Sequence, residues 1–163
     1  MRALLAACAL ALVTAAAPAS AQGRLGAPVR TQDVVDWSVR VQQGERGGEA
    51  RVVLDAEIAP GWRLYAVDSP VGRPLAVTVD ALPAGVEAAP LRQARPQEGY
   101  DEAFGSDYTY FAGRGRVVQP LRLSATVARG RHEVRGAVLY AVCDDSICLP
   151  PARAAFRVPL QVR

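Results

Sequence analysis

A two-sheet antiparallel β-sandwich is the fold class that this 163-residue chain predicts, and three observations predict it. Apolar and polar residues alternate with a period of two over several runs, the pattern of a strand with one buried face. Turn-forming residues fall between those runs at short, regular intervals. No window carries a helical stripe with caps at its ends.

The elements follow in order. Trp37–Val41 alternates, and so does Ala50–Ile58, with a slip at Val53. Further strands are predicted at Trp62–Val67, Leu75–Ala81, Tyr108–Phe111, Val117–Val127, His132–Val142 and Ala154–Val162. Gly and Pro punctuate the gaps at Gln43–Gly48, Pro60-Gly61, Ser69-Pro70, Pro83–Gly85, Gly113–Gly115 and Arg129-Gly130. One segment breaks the rhythm. From Ala88 to Asp107 the chain carries Pro90, Pro96, Gly99 and Gly105, with acids at Glu98, Asp101, Glu102 and Asp107, and reads as a long loop. Tyr100 and Phe104 lie within it. Aromatic residues on a long loop mark either a lid or binding loop, or a plug for the end of the sandwich, and both readings stand.

The first 21 residues read as a signal peptide. Met1-Arg2 supplies a short positive start, Leu4–Ala17 is apolar, and Ala19-Ser20-Ala21 fits a cleavage site before Gln22. Residues 22–33 are polar and turn-prone, a flexible lead-in to a domain at 34–163. Cleavage removes Cys8 and leaves 142 residues, enough for one domain with a core of its own. The apolar run is short for a membrane span and no later segment approaches one, so an exported protein that is not integral to the membrane is expected. Formal charge falls from +3 to +2, because the leader holds only Arg2. Arg114 with Arg116 and Arg129 with Arg131 have no aromatic stacking platform beside them, which argues against nucleic-acid binding and for charged strand edges.

The remaining chemistry is sparse. A closed zinc site needs four ligands, and the mature chain offers two cysteines and His132. Its only methionine goes with the leader, which removes the usual copper(I) ligand. Neither a metal nor a cofactor is expected. There is no Gly-x-Ser-x-Gly elbow and no phosphate loop, and one histidine makes a hydrolytic triad improbable. What remains is Tyr140-Ala-Val-Cys143-Asp144-Asp145-Ser-Ile-Cys148-Leu-Pro150-Pro151. Four intervening residues form a turn tight enough to bring the two Cα atoms within the roughly 4.4–6.8 Å of a disulfide. A bridge closing so small a loop is a weak staple. Proline cannot donate to a sheet ladder, so Pro150 and Pro151 hold Cys148 at a sheet margin within reach of another protein's sulfur. A permanent structural bridge and a redox pair both fit these residues.

The run Gly136–Pro151 resembles the active-site segment of the N-terminal periplasmic domain of the thiol:disulfide interchange protein DsbD: a strand with Tyr, then Cys, an acidic turn, Cys, one residue and Pro-Pro. Ile58-Ala-Pro-Gly-Trp62-Arg-Leu-Tyr65 is similar to that family's I-x-x-G-[WY]-x-[LI]-Y strand, and Asp101-Glu102-Ala-Phe104-Gly105 resembles its cap loop. The likeness runs from about Trp37 to Val162. It implies an immunoglobulin-like, periplasmic domain acting as a protein-disulfide reductase component. Cys143 and Cys148 would be the catalytic pair, with Cys148 facing partners and Cys143 resolving. Phe104 would shield the pair, and Tyr65, Tyr140, Asp101, Glu102, Asp144, Asp145 and Pro150 would line the site. Partners would be thioredoxin-like or disulfide-isomerase-like proteins, engaged through a transient mixed disulfide, and a membrane-bound electron donor on another chain. The chain departs from the pattern in having four residues between the cysteines where well-known members have five, and Ala103 where they place the cap aromatic. The acids near the sulfurs predict a raised thiol pKa, slow alone and fast when docked. The rival function is a non-catalytic binding or assembly module with a structural Cys143–Cys148 bridge. A weaker third is an accessory to cytochrome c or copper-site maturation that delivers reductant to one client.

Overall fold

The computed structural model describes residues 28–102 and 105–163. The signal peptide, Cys8, the lead-in up to residue 27, and Phe104 lie outside the described residues. The lead-in ends differently from expectation. Thr31–Val34 is one helical turn, α1, with Thr31 and Val34 buried. Asp33 folds back on Arg30, whose backbone N–H donates to its Oδ2 at 2.9 Å, which starts the turn where the polar sequence alone showed no helical stripe.

Among the described residues twelve strands follow: β1 (Val35–Gln42), β2 (Glu49–Ile58), β3 (Arg63–Tyr65), β4 (Ala76–Ala81), β5 (Val86–Ala88), β6 (Arg92–Gln93), β7 (Gln97–Asp101), β8 (Ser106–Phe111), β9 (Arg114–Leu123), β10 (Gly130–Tyr140), β11 (Val142–Cys143) and β12 (Ala152–Val162). They form three antiparallel sheets. One has the order β1-β2-β9-β5, with β6 also on β9; the second is β12-β10-β4; the third is β11-β3-β8-β7. The second and third meet where β10 passes through Ala141 into β11, so the strand expected at His132–Val142 serves both. Alternation sets the register. Along β12, Phe156, Val158, Leu160 and Val162 are buried and the residues between them exposed. The slip at Val53 has a structural reason: Val52, Val53 and Leu54 are all buried, because β2 is covered on both faces at that point. Val52 and Leu54 of β2, Val117 and Leu121 of β9, Val138 of β10, Leu160 of β12 and Leu64 of β3 share one core, and the result is an immunoglobulin-like sandwich.

Two local details bear on the fold, and the first corrects the sequence reading. The segment from Ala88 to Asp107 is not a structureless loop but contains β6 and β7, with β5 entering it. These strands are short and lie at sheet edges, and β7 has no fully buried position, so no hydrophobic alternation announced them. Their prolines, Pro90 and Pro96, fall between the strands, where no ladder bond is lost. Gly136 marks the second detail. It sits at a register shift between β10 and β4, and a Cβ there would stand 2.2 Å from the Thr78 carbonyl oxygen and 2.5 Å from the Phe156 ring. Only glycine lets the two strands close over Phe156.

Candidate functional site

The third sheet has two unlike faces. Leu64, Val142 and Phe111 point one way, into the core, and each is buried. Period-two geometry sends Arg63 and Tyr65 of β3, Tyr108 and Tyr110 of β8, and Cys143 of β11 the other way. Arg63 pairs directly with Cys143 and Tyr65 with Tyr110, so these side chains share one face. That face is the floor of the site.

Cys143 then turns through Asp144–Ile147 and returns as Cys148. The Asp144 N–H donates to the Ile147 carbonyl at 2.9 Å, and the Leu149 N–H donates to the Val142 carbonyl at 2.9 Å. The bonds flank the cysteines on either side, which makes Cys143 and Cys148 a non-hydrogen-bonded antiparallel pair, the kind whose side chains approach closest. They form a disulfide, with Cα atoms 4.0 Å apart, somewhat closer than the roughly 4.4–6.8 Å usual for such a bridge. Asp144 Oδ1 ties the turn, accepting from the backbone N–H of both Ser146 and Ile147 at 2.7 Å. Those two bonds, that from Ile147 first, hold the Asp144 carboxyl below the usual carboxylate range. Beyond the pair, Leu149 is buried in the core, and the Pro150 carbonyl accepts the Thr31 hydroxyl at 2.5 Å. The helical turn α1 thus anchors the chain leaving Cys148.

The two sulfurs differ in surroundings. Cys148 is exposed, next to Ile147, whose side chain is 55% exposed. Cys143 is half-buried, and the Tyr65 hydroxyl donates to its sulfur at 3.4 Å. Tyr65 is itself buried and meets Tyr108 edge-on at 5.8 Å, while Tyr108 stacks on Tyr110 at 5.2 Å. Burial pushes the Tyr65 and Tyr108 phenols above their ordinary value, so both remain proton donors at neutral pH. Arg63 lies over the Tyr110 ring at 5.7 Å and pairs with Asp145 at 2.7 Å.

A cleft of about 450 Å³ opens over the disulfide. Of the residues expected at the site, it brings together Cys143, Cys148, Tyr65, Asp101, Glu102, Asp144 and Asp145. Tyr140 is elsewhere: its ring is buried in the core, edge-on to Trp37 at 5.5 Å, because it lies before the step at Ala141 that carries the strand into the third sheet. Pro150 anchors the hairpin without lining the cleft. Sequence reasoning missed Arg63 and Tyr108; Tyr100, singled out on the candidate lid loop, also lines the cleft. Arg63 carried a readable signal, since it stands two residues before Tyr65 in the same strand and so shares its face. The surroundings of the sulfurs are therefore not purely acidic: Asp145 is spent on Arg63, and Asp144 on turn amides. His132 is half-buried on β10 and has Nε2 2.7 Å from the Ala128 carbonyl oxygen. Among the described residues no cluster of ligating side chains suits a metal ion, and no helix is long and apolar enough to cross a membrane.

An immunoglobulin-like domain that presents one sulfur of a two-cysteine hairpin and shelters the other is of the thiol–disulfide exchange class. The family model described as "Thiol:disulfide interchange protein DsbD, N-terminal" matches residues 30–160, and the chain belongs to that family. The DsbD N-terminal domain of Neisseria meningitidis in its reduced form is similar in fold, with a TM-score of 0.55 at 17% identity over 82% of this chain and 90% of that one. The N-terminal periplasmic domain of ScsB from Proteus mirabilis is similar with a TM-score of 0.51 at 15% identity, over 79% of this chain and 47% of that one. A comparison with curated proteins gives no match.

Proposed function

We propose that this chain is a periplasmic carrier of reducing equivalents, matured by cleavage before Gln22, that takes electrons from a membrane-linked thioredoxin-like donor on another chain and gives them to client disulfides. The observation that carries this reading is the asymmetry of the pair, with Cys148 exposed on a hairpin and Cys143 half-buried under the Tyr65 hydroxyl. A donor thiolate attacks Cys148 Sγ. The Cys143–Cys148 bond breaks, the electron pair leaves on Cys143 Sγ, and a donor–Cys148 mixed disulfide forms. The second donor thiol attacks its own sulfur in that bond and leaves this chain as a dithiol, the donor oxidised. Toward a client the sequence runs in the opposite sense: Cys148 attacks, a client thiolate leaves, and Cys143 resolves the mixed disulfide. On this reading Asp101, Glu102 and Phe104, the last outside the described residues, have the role of shielding the reduced pair from small oxidants.

The test is trapping. Cys143→Ala should accumulate a mixed disulfide with a purified thioredoxin-like or disulfide-isomerase-like protein, and Cys148→Ala should trap little. The reverse pattern would exchange the two roles. No trapping by either variant would favour a binding module in which the bridge is structural.

A further inference from the structure

The cleft holds one cation among its described lining residues, Arg63, and it stands directly across from Cys143 in the β3–β11 register. Residues directly opposite in an antiparallel pair have Cβ atoms about 4.5–5.5 Å apart on one face of the sheet. The guanidinium does not rest on the sulfur, however. It pairs instead with Asp145 in the hairpin turn, at 2.7 Å, and lies over the Tyr110 ring. Asp145 is 83% exposed and Arg63 33% exposed, so the acid is the member of the pair that an approaching protein would touch first.

We infer that Arg63 is the charge-compensating residue for Cys143, and that Asp145 is a counter-ion that holds it while the disulfide is closed and releases it when a partner docks or the bond opens. The inference rests on the exchange reaction proposed above. When a donor thiolate attacks Cys148 Sγ, the departing electron pair makes Cys143 an anion. Other charged or titratable groups line the cleft from β3 (Tyr65), β7 (Tyr100 and Asp101), β8 (Tyr108) and the turn (Asp144), and at Glu102. Four acids, counting Asp145, and three tyrosines give a new anion no positive charge. Arg63 supplies the only one among the described lining residues, and it swaps an exposed carboxylate for a thiolate at little cost, because the exposed Asp145 is rehydrated. A lower-pKa leaving thiol departs faster, so Arg63 speeds the opening of the bond.

The experiment uses the reduced full chain and follows alkylation of Cys143 by iodoacetamide against pH, with site assignment by mass spectrometry. Arg63→Gln should move the Cys143 midpoint up by about one pH unit, a tenfold loss of thiolate at fixed pH, and should slow opening of the oxidised protein by dithiothreitol. Arg63→Lys should restore most of both. Asp145→Asn should move the midpoint down, and this shift should shrink in the Arg63→Gln background, since it acts by freeing the arginine. An unchanged midpoint in Arg63→Gln, or additive shifts in the double variant, would overturn the inference. These readouts concern the charge around Cys143 alone, so they stand or fall independently of whether a thioredoxin-like protein can be trapped.

Discussion

Gly72 lies against the ring of Tyr65 so closely that a Cβ on the glycine would stand 2.4 Å from Tyr65 Cζ. Gly72 also has φ +73°, a conformation that L side chains rarely adopt. Its loop is tied on both sides. The Ser69 hydroxyl donates to the Val71 carbonyl at 3.0 Å, the Val67 N–H to Gln93 Oε1 at 2.9 Å, and the Thr109 hydroxyl to Asp68 at 2.6 Å. The loop is thus a fixed lid on the tyrosine that touches the Cys143 sulfur. Gly72→Ala should displace the Tyr65 ring, at a cost of about 1–3 kcal/mol in stability. Urea unfolding measures that cost, and altered reactivity of the disulfide toward dithiothreitol would accompany it. Wild-type values for both would mean that the loop yields freely.

Asp144 gives a pH-dependent prediction. Its carboxylate accepts two backbone N–H bonds in the turn, and its folded-state pKa lies below the ordinary carboxylate value. A depressed acid stabilises the fold above the unfolded-state pKa, about 3.9, and loses that contribution as pH falls through the lower folded value. Asp144→Ala should therefore lower Tm at pH 7 and converge on wild type near pH 2. Asp144→Asn, which keeps the accepting oxygen, should stay closer to wild type at neutral pH. A gap between Asp144→Ala and wild type that is the same at both pH values would show that the carboxylate is not what holds the turn.

How far the sequence was legible follows from which strands bury a face. β2, β10 and β12 declare themselves because Leu54, Val138 and Leu160 recur at even spacing on a buried side. β6 has two residues, and its main tie to the site's lid is the single side chain of Gln93, which no periodicity records. The cysteine hairpin was readable as local chemistry, since four residues and a Pro-Pro step lie contiguous in the chain. Arg63 and Tyr108 join it only through the pairing of β3 with β11 and β8, and those registers are long-range facts. Tyr140 misled for the opposite reason. It is close to Cys143 in sequence, but it packs in the core on the near side of the Ala141 step.

The disulfide itself should contribute little to the fold. It closes a loop between residues five apart in sequence, for which the chain-entropy model gives about 2 kcal/mol. The strands on either side are held independently, Val142 and Leu149 by burial and Pro150 by Thr31. The Cys143→Ala/Cys148→Ala protein should remain folded, with a modestly lower denaturation midpoint in urea. Loss of cooperative unfolding would return the pair to a structural role.

Tyr65→Phe isolates the hydroxyl from the ring. The ring keeps its place under Gly72 and beside Tyr108, so stability should change little, while the donor 3.4 Å from the Cys143 sulfur is removed. That bond grows stronger as Cys143 gains negative charge, because a charged acceptor strengthens a hydrogen bond. Its loss should slow opening of the disulfide by a thiol attacking Cys148, by about two- to tenfold on the usual 0.5–1.5 kcal/mol. Burial raises the Tyr65 phenol, with Asp101 adding to the effect, so the donor persists across neutral and mildly alkaline pH. The ratio of wild-type to variant rates should accordingly stay flat between pH 6 and 9 (about the range in which an unperturbed phenol is also protonated) and fall only above the phenol's raised pKa. The same elevation has a stability counterpart. Above about pH 10 the unfolded chain loses this proton before the folded one does, so folding stability should decline there in wild type more steeply than in the variant. Equal opening rates in the two proteins at pH 7 would mean that the hydroxyl packs against the sulfur without assisting its departure.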